Sequence, residues 1–240
     1  MKALCFEMCV QGPEAAQVAE AGGADRIELC AGLAFGGISP TLDLLAATVN
    51  VVSIPVHVLI RPRDGDFNLS AGEFEVVRQQ IEGAKKVGAA GVAIGVLFAD
   101  GRVDVKRSRE LVELARPMKA TFHRAFDETP NVAVALEDVI ATGADCLLTS
   151  GGERDVLTGA ESIARLREQA RERLDVMAGG GLRLRNLSEV VRRTGVRFLH
   201  GSLTREHSGL APSALDSSAL EADVREAIRL FRREFTARCN

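Results

Sequence analysis

The sequence predicts a single-domain (β/α)8 barrel, the TIM-barrel fold, over residues 1–240. A chain of 240 residues suits eight βα units, the usual size of this fold. Short apolar, β-branched runs alternate with longer amphipathic stretches, and strand starts recur every ~28 residues, the length of one βα unit with its turns. No linker or change in composition interrupts this alternation, which favours one closed barrel. An open doubly wound sheet of the same length is the structural alternative.

Eight runs are predicted strands because they are short, apolar and bounded by turn residues. In chain order they cover residues 4–9, 26–30, 55–60, 91–95, 119–123, 146–149, 174–178 and 198–200. The stretches between them repeat apolar residues at helical spacing, which predicts helices over 13–21, 41–49, 72–87, 105–116, 132–142, 159–173 and 186–194. A last helix is predicted over about 220–233, within a C-terminal segment of ~35 residues.

Glycines mark the ends of several predicted helices. Gly23, Gly88 and Gly143 precede the second, fourth and sixth strands, and Gly195 stands at the same point before the eighth. Each follows an amphipathic run, where a left-handed C-cap costs least in a residue without a Cβ. These glycines therefore predict the turns that lead from helix back to strand.

The composition excludes several classes of function. The net charge is −3 and no cluster of Lys or Arg stands out, so the phosphate-neutralising surface of a nucleic-acid-binding protein is missing. No segment approaches the roughly 20 apolar residues that span a bilayer, and Glu7 interrupts the apolar N-terminus, so we expect neither a membrane anchor nor a signal peptide. Five scattered cysteines do not form a disulfide framework, and we expect a reducing, cytoplasmic location.

Polar residues collect where the predicted strands end. Buried parallel strands should be continuously apolar, yet the first strand carries Glu7 and Cys9, and the second carries Glu28 and Cys30. Alternation along a strand puts each of these pairs on one face, which we predict to be the barrel interior. The active sites of barrel enzymes lie at this carboxyl end of the strands. We therefore expect the functional site at the mouth of the barrel.

Histidines and arginines from other strands are expected to join this site. His123 ends the fifth strand and His200 lies in the eighth, so Glu7, Glu28, His123 and His200 are the candidate catalytic residues for general acid and base roles. Arg61 and Arg63 follow the third strand. Because charged groups are rarely buried unpaired, a purely structural set of Glu–Arg ion pairs is the alternative interpretation.

Two glycine-rich loops predict a bound anion. One contains Ser150 and Gly151 after the sixth strand, and the other contains Gly180 after the seventh. Barrels often bind phosphate here, because glycines let backbone N–H groups approach an oxyanion. Together with the planar guanidinium groups of Arg61, Arg63 and Arg124, these residues are the candidate anion-binding set. Ordinary tight-turn geometry is the alternative.

The remaining candidates are metal ligands. Cys9 and Cys30 end neighbouring parallel strands, and two soft thiolates suit Cu(I) better than Mg²⁺ or Ca²⁺. No CxxC or HExxH spacing predicts a closed structural zinc site. Buried cysteines also act simply as small hydrophobic residues, which is the alternative here.

Several segments in a fixed order resemble one known family. They are residues 7–9, 23–30, 36–41, 57, 60–63, 65–67, 95–97, 100–101, 121–127, 148–151, 177–181 and 200–202. They resemble the CutC family, which is named for copper homeostasis, over nearly the whole chain to about Ser202. The resemblance implies a TIM barrel that is usually a homo-oligomer, lies in the cytoplasm and binds Cu(I) through cysteines, here Cys9 and Cys30. The C-terminal tail departs from the family pattern.

Two functional hypotheses stay open on the sequence, beside a third interpretation in which the barrel has lost its reaction and serves as a binding platform. The first is a copper-homeostasis protein that binds Cu(I) as its cofactor or cargo. The second is an isomerase-type or lyase-type barrel enzyme that acts on a small phosphorylated or carboxylated substrate. In both, the partner is a small ligand or a metal ion, bound at the mouth of the barrel.

Overall fold

The strands close into a parallel barrel, as the sequence predicts. In a computed structural model of the chain, which describes residues 4–203 and 216–239, eight parallel strands follow one another in chain order around the barrel, and the eighth pairs with the first. They are β1 (Cys5–Val10), β2 (Arg26–Leu29), β3 (Val56–Leu59), β4 (Gly91–Ile94), β5 (Lys119–Phe122), β6 (Cys146–Thr149), β7 (Asp175–Ala178) and β8 (Phe198–Gly201). The (β/α)8 fold class is confirmed, and the open doubly wound sheet is excluded.

A helix follows each strand and covers the outside of the barrel. The helices are α1 (Pro13–Ala21), α2 (Leu42–Val49), α3 (Ala71–Val87), α4 (Val105–Ala115), α5 (Val132–Thr142), α6 (Ala160–Ala170), α7 (Leu184–Thr194) and α8 (Ser217–Cys239). Short 3-10 helices follow β2 and β5, at Leu33–Phe35 and Arg124–Glu128. Helix α8 extends beyond both of its predicted ends, and at its start the Oδ1 of Asp216 accepts a hydrogen bond of 3.0 Å from the N–H of Ala219.

The predicted glycine turns are present in the structure. Gly88, Gly143 and Gly195 end α3, α5 and α7 in the left-handed conformation, with φ of 94°, 82° and 63°. The other end of α3 is held by a capping box between Ser70 and Glu73. Helix boundaries are thus set by local residues, which is why the sequence predicts most of them closely.

The apolar core has two parts. The larger part lies between the strands and the helices and contains fully buried side chains such as Phe6, Met8 and Ile27. Inside the barrel, small clusters fill the space between polar levels, one of them made of Cys9, Cys30, Leu59 and Ala93. The barrel interior is therefore packed, and its polar residues occupy defined levels between apolar ones.

Strand register decides which polar residues share a level. Glu7 of β1 pairs with Arg26 of β2 on one side and with His200 of β8 on the other. One level nearer the mouth, Cys9 pairs with Glu28. The residues predicted to face the interior are therefore next to one another on neighbouring strands.

None of the helices in the described ranges combines the length and the apolar character that a membrane-spanning helix needs.

Gly159 at the start of α6 is predicted to be irreplaceable. A Cβ at this position would overlap the carbonyl oxygen of Ser150, a backbone atom in the loop after β6. We expect Gly159→Ala to lower the free energy of unfolding by about 1–3 kcal/mol or more, the usual cost of overpacking. Urea denaturation would measure the change.

Gly72 provides the matched control. It lies in the first turn of α3, and a Cβ there would meet no atom within 4 Å. Gly72→Ala should therefore leave stability unchanged or raise it by about 0.5 kcal/mol through helix propensity. Equal losses for the two variants would contradict the steric explanation.

Candidate functional site

A buried carboxylate lies at the centre of the barrel. The Glu7 side chain is 1% exposed, and its Oε2 accepts a hydrogen bond of 2.5 Å from the Nε of Arg26. Its Oε1 lies 2.8 Å from the Nδ1 of His200. Burial alone would raise the pKa of Glu7, but the charge of Arg26 and the bond from His200 hold that pKa well below its usual range. Glu7 is therefore an anion at neutral pH.

His200 connects this carboxylate to the mouth. Because its Nδ1–H donates to Glu7, its Nε2 points to the other side of the ring and lies 3.9 Å from Oε1 of Glu28. Burial lowers the pKa of His200, but the two neighbouring carboxylates outweigh it and the pKa is raised. Glu28 is 5% exposed, and burial together with the charge of Glu7 raises its pKa to about 7. The result is a carboxylate–imidazole–carboxylate chain from the barrel centre to its mouth.

The two predicted thiols meet beside this chain. The Sγ atoms of Cys9 and Cys30 are 3.5 Å apart, and both side chains are free and buried. The hydrogen bond with Cys30 and burial raise the pKa of Cys9 well above its usual range, so the thiol is protonated at rest. The Sγ of Cys9, an oxygen of Glu28 and a ring nitrogen of His200 all lie within 4.8 Å of one another. This trio adds a carboxylate oxygen and an imidazole nitrogen to the thiol ligands predicted from the sequence.

These groups open into one large cavity at the carboxyl ends of the strands. The cavity has a volume of about 720 Å³. Eight of the sequence-predicted site residues line it, namely Cys9, Glu28, Cys30, Arg61, His123, Arg124, Gly180 and His200. Glu7, Arg63, Ser150 and Gly151 do not line it. Glu7 lies one level deeper, where it orients His200 and cannot touch a ligand in the cavity.

A cation and an aromatic ring form the side of the cavity near the ends of β3 and β5. The guanidinium of Arg61 stacks over the ring of Phe67, with its Cζ 4.7 Å from the ring centroid. The His123 ring lies against the same phenylalanine, at 5.1 Å between centroids. Burial and the charge of Arg61 lower the pKa of His123 to about 3, so its ring is neutral. Phe67 belongs to one of the segments that resemble the CutC family, but the sequence did not predict its contacts with Arg61 and His123.

The loop after β6 does not offer its N–H groups to a ligand. Asp127, in the 3-10 helix after β5, accepts hydrogen bonds of 3.0 Å from the backbone N–H of Ser150 and of Gly152. The N–H of Gly151 donates to the side chain of Thr149 at 2.7 Å. The predicted anion-binding role of Ser150 and Gly151 does not fit this geometry, because a carboxylate of the chain itself fills the place of the anion. Sequence reasoning missed this role of Asp127, although its position after the fifth strand was a signal.

Arg124 and Gly180 pack against each other beside this internal carboxylate. Arg124 donates to Asp127 at 2.9 Å and to the hydroxyl of Ser150 at 3.0 Å. Gly180 has a φ of 95°, and a Cβ there would lie 3.0 Å from the Cζ of Arg124. The glycine is needed for this close approach. Arg124 is thus a lining residue whose charge is already compensated.

Arg63 points away from the cavity. Its guanidinium pairs with Glu73 at the start of α3 and with Asp66 at 2.9 Å, and it also donates to the carbonyl oxygen of Asn68. These bonds tie the loop after β3 to α3. The structure therefore does not bring Arg63 to the anion-binding set, because its charge is already compensated by Asp66 in the loop and by Glu73 in α3.

Comparison with known proteins gives one consistent result. A model of the CutC family matches residues 4–205. A CutC family protein of Caulobacter vibrioides is 44% identical over 217 residues, which are 90% of this chain and 86% of that protein. A human protein named copper homeostasis protein cutC homolog is 44% identical over 197 residues, 82% of this chain and 72% of the human protein. A crystal structure of CutC from Streptococcus agalactiae superposes with a TM-score of 0.79 at 25% identity, covering 84% of this chain and all of that one.

Removal of the charge of Glu7 is predicted to destabilise the barrel. Glu7→Gln leaves Arg26, whose side chain is only 14% exposed, without this counter-ion, and breaking a buried ion pair costs about 3–5 kcal/mol. Because the folded pKa of Glu7 lies below its ordinary value of 4.5, the ion pair stabilises the fold above that pH and is lost as the pH falls through the folded pKa. The difference in unfolding free energy between wild type and variant should therefore shrink below pH 4.5, as measured by urea denaturation at several pH values.

Glu137→Gln is the control for this experiment. Glu137 forms a similar two-point pair with Arg173, but on the exposed surface. Its loss should be much smaller, because solvent screens exposed ion pairs. A Glu7→Gln variant as stable as Glu137→Gln would contradict the structural importance of the central pair.

Proposed function

The chain belongs to the CutC family, and we propose that it binds Cu(I) at the mouth of its barrel through the thiolates of Cys9 and Cys30. The single observation that carries this proposal is the Sγ–Sγ distance of 3.5 Å between two free cysteines that both line the cavity. Thiolates are the soft ligands that Cu(I) prefers. A relative named for copper homeostasis supports the same choice of metal.

His200 is the best third ligand for the ion. One of its ring nitrogens belongs to the trio of ligand atoms that includes the Sγ of Cys9, and Nε2 is the nitrogen that Glu7 does not occupy. An imidazole nitrogen suits copper better than the carboxylate oxygen of Glu28. The bond from its Nδ1–H to Glu7 is the arrangement that orients metal-bound histidines in many proteins. Both thiols lose their protons when the metal binds, since the thiolate is the ligand.

Anaerobic titration with Cu(I) against a competing chelator tests this proposal. We expect the double variant Cys9→Ser/Cys30→Ser to bind Cu(I) at least about 100-fold more weakly, because loss of a second-shell partner alone already costs 10–100-fold. Cys5→Ser is the control, because Cys5 lies on the same face of β1 as Cys9 but ~13 Å away from it. Equal affinity of the double variant and wild type would refute the proposal.

A second candidate function is an enzyme of the isomerase or lyase type, and the size of the cavity favours it. A volume of about 720 Å³ is far more than one copper ion needs and is typical of sites for small organic molecules. In this proposal the substrate carries a carboxylate or a phosphate. His200 exchanges a proton with the substrate through Nε2, and Glu7 positions the ring without touching the substrate.

Proton exchange with solvent tests the enzyme proposal. Pyruvate in D₂O should gain deuterium at C3 when a proton passes from that carbon to His200 and a deuteron returns from solvent. We expect His200→Gln to slow the exchange by about 10²-fold or more, and Cys5→Ser to leave it unchanged. An exchange rate no faster than that of pyruvate alone, for pyruvate and for longer 2-keto acids, would count against this candidate.

A further inference from the structure

We propose that Arg61, His123 and Phe67 form a carboxylate-binding subsite in the mouth cavity, which anchors one end of a small organic acid. The inference names the substrate class of the second candidate function and rests on it, but it does not require copper. All three side chains line the cavity. They come from the end of β3, the end of β5 and the loop after β3.

The charge of Arg61 is the first argument. In the described ranges no carboxylate lies within 4.0 Å of its guanidinium. Two of the other three arginines that line the same cavity, Arg124 and Arg154, are paired with Asp127 and Asp155. Arg61 donates instead to two backbone carbonyl oxygens, of Gly37 at 3.0 Å and of Gly65 at 2.7 Å. Its Nε is buried with no hydrogen-bond partner there. A half-buried cation without a close counter-ion is unfavourable, so binding of an anion beside it is favoured.

The guanidinium is held in place before any ligand arrives. It lies over the face of Phe67, and a Cβ on Gly36 would come within 3.3 Å of its Nη1. The two carbonyl bonds fix its plane between the loops after β2 and β3. A group that is already ordered loses little further entropy on binding, which favours its use as an anchor.

His123 supplies a neutral donor beside the cation. Its Nδ1 accepts a hydrogen bond of 3.3 Å from the N–H of Ala125, so the proton of the neutral ring is on Nε2. The side chain lines the cavity, and no acceptor for Nε2 is present in the part of the chain that the structure describes. The charged, planar guanidinium of Arg61 and the neutral Nε2–H of His123 are together suited to the two oxygens of a carboxylate.

The local charge favours a carboxylate over a phosphate dianion. Arg61 is the one cation in this trio, and the carboxylates of Glu128 and Asp64 act on it electrostatically. The N–H cradle after β6, which would suit a phosphate, is filled by Asp127. A monoanion therefore matches the site better than a dianion does.

Imidazole NMR on the full chain provides the test. The chain has only four histidines, so ¹⁵N labelling resolves the Nε2–H of His123 after assignment with His123→Gln. We expect pyruvate to shift this resonance in a saturable way. Arg61→Gln should weaken pyruvate binding at least tenfold, and Arg61→Lys should weaken it less, because Lys keeps the charge but loses the planar fork.

Arg102→Gln is the matched control. Arg102 also lies near a phenylalanine ring, Phe98, but it is paired with Asp100, is 69% exposed and does not line the cavity. Arg102→Gln removes the same charge as Arg61→Gln does, and it should leave the affinity for pyruvate unchanged.

Three outcomes would overturn the inference. They are a His123 resonance that pyruvate does not shift, equal pyruvate affinity in Arg61→Gln and wild type with both proteins folded, and a tighter response to inorganic phosphate than to pyruvate. Binding that depends on Arg61 in a protein without exchange activity would sustain the subsite and refute only the enzyme candidate. The two failures are therefore distinguishable.

Discussion

The charge of Glu7 at the barrel centre is the constraint on which the rest of the site depends. A buried carboxylate is tolerated only when its charge and hydrogen bonds are satisfied, and here Arg26 and His200 do so from the strands on either side. A slip of one residue in the pairing of β1 would turn Glu7 towards the apolar layer beneath the helices. The register that satisfies Glu7 is also the register that brings Cys9 beside Glu28 and directs the free nitrogen of His200 towards the mouth.

The mouth of the barrel has two chemically different parts as a result. Near β1 and β2 it offers sulfur and imidazole, which are soft ligands. Near β3 and β5 it offers a stacked guanidinium and a neutral N–H donor, which are groups for an oxyanion. The two parts use different side chains, so variants can remove one without the other. The thiol pair and the carboxylate subsite can for this reason be tested separately, although the copper proposal and the enzyme proposal both use His200.

Most of the fold follows from local sequence, and the topology of the predicted barrel then brings the two cysteines together. The alternation of strand and helix patterns predicts all eight βα units, and glycines after the helices predict the left-handed turns at Gly88, Gly143 and Gly195. Cys9 and Cys30 end adjacent parallel strands, so their proximity follows from topology alone. The anion-binding set is predicted less well. In the structure Arg63 is paired with Glu73 and Asp66, and Asp127 accepts the hydrogen bonds of the backbone N–H groups after β6. The sequence does not show which of several nearby acceptors each donor will bind.

What the sequence by itself determined is the periodic part of the molecule: strand alternation, helix faces, glycine turns and the level at which each polar side chain enters the barrel. The tertiary structure alone decided which of those polar groups are already satisfied and which face open space. Arg61 and Arg124 look alike in the sequence, yet one is paired with an aspartate and the other is not. The reason is physical: compensation of a charge depends on which groups come within a few ångströms of it in the folded loops, whether three residues away, as Asp127 is from Arg124, or farther along the chain.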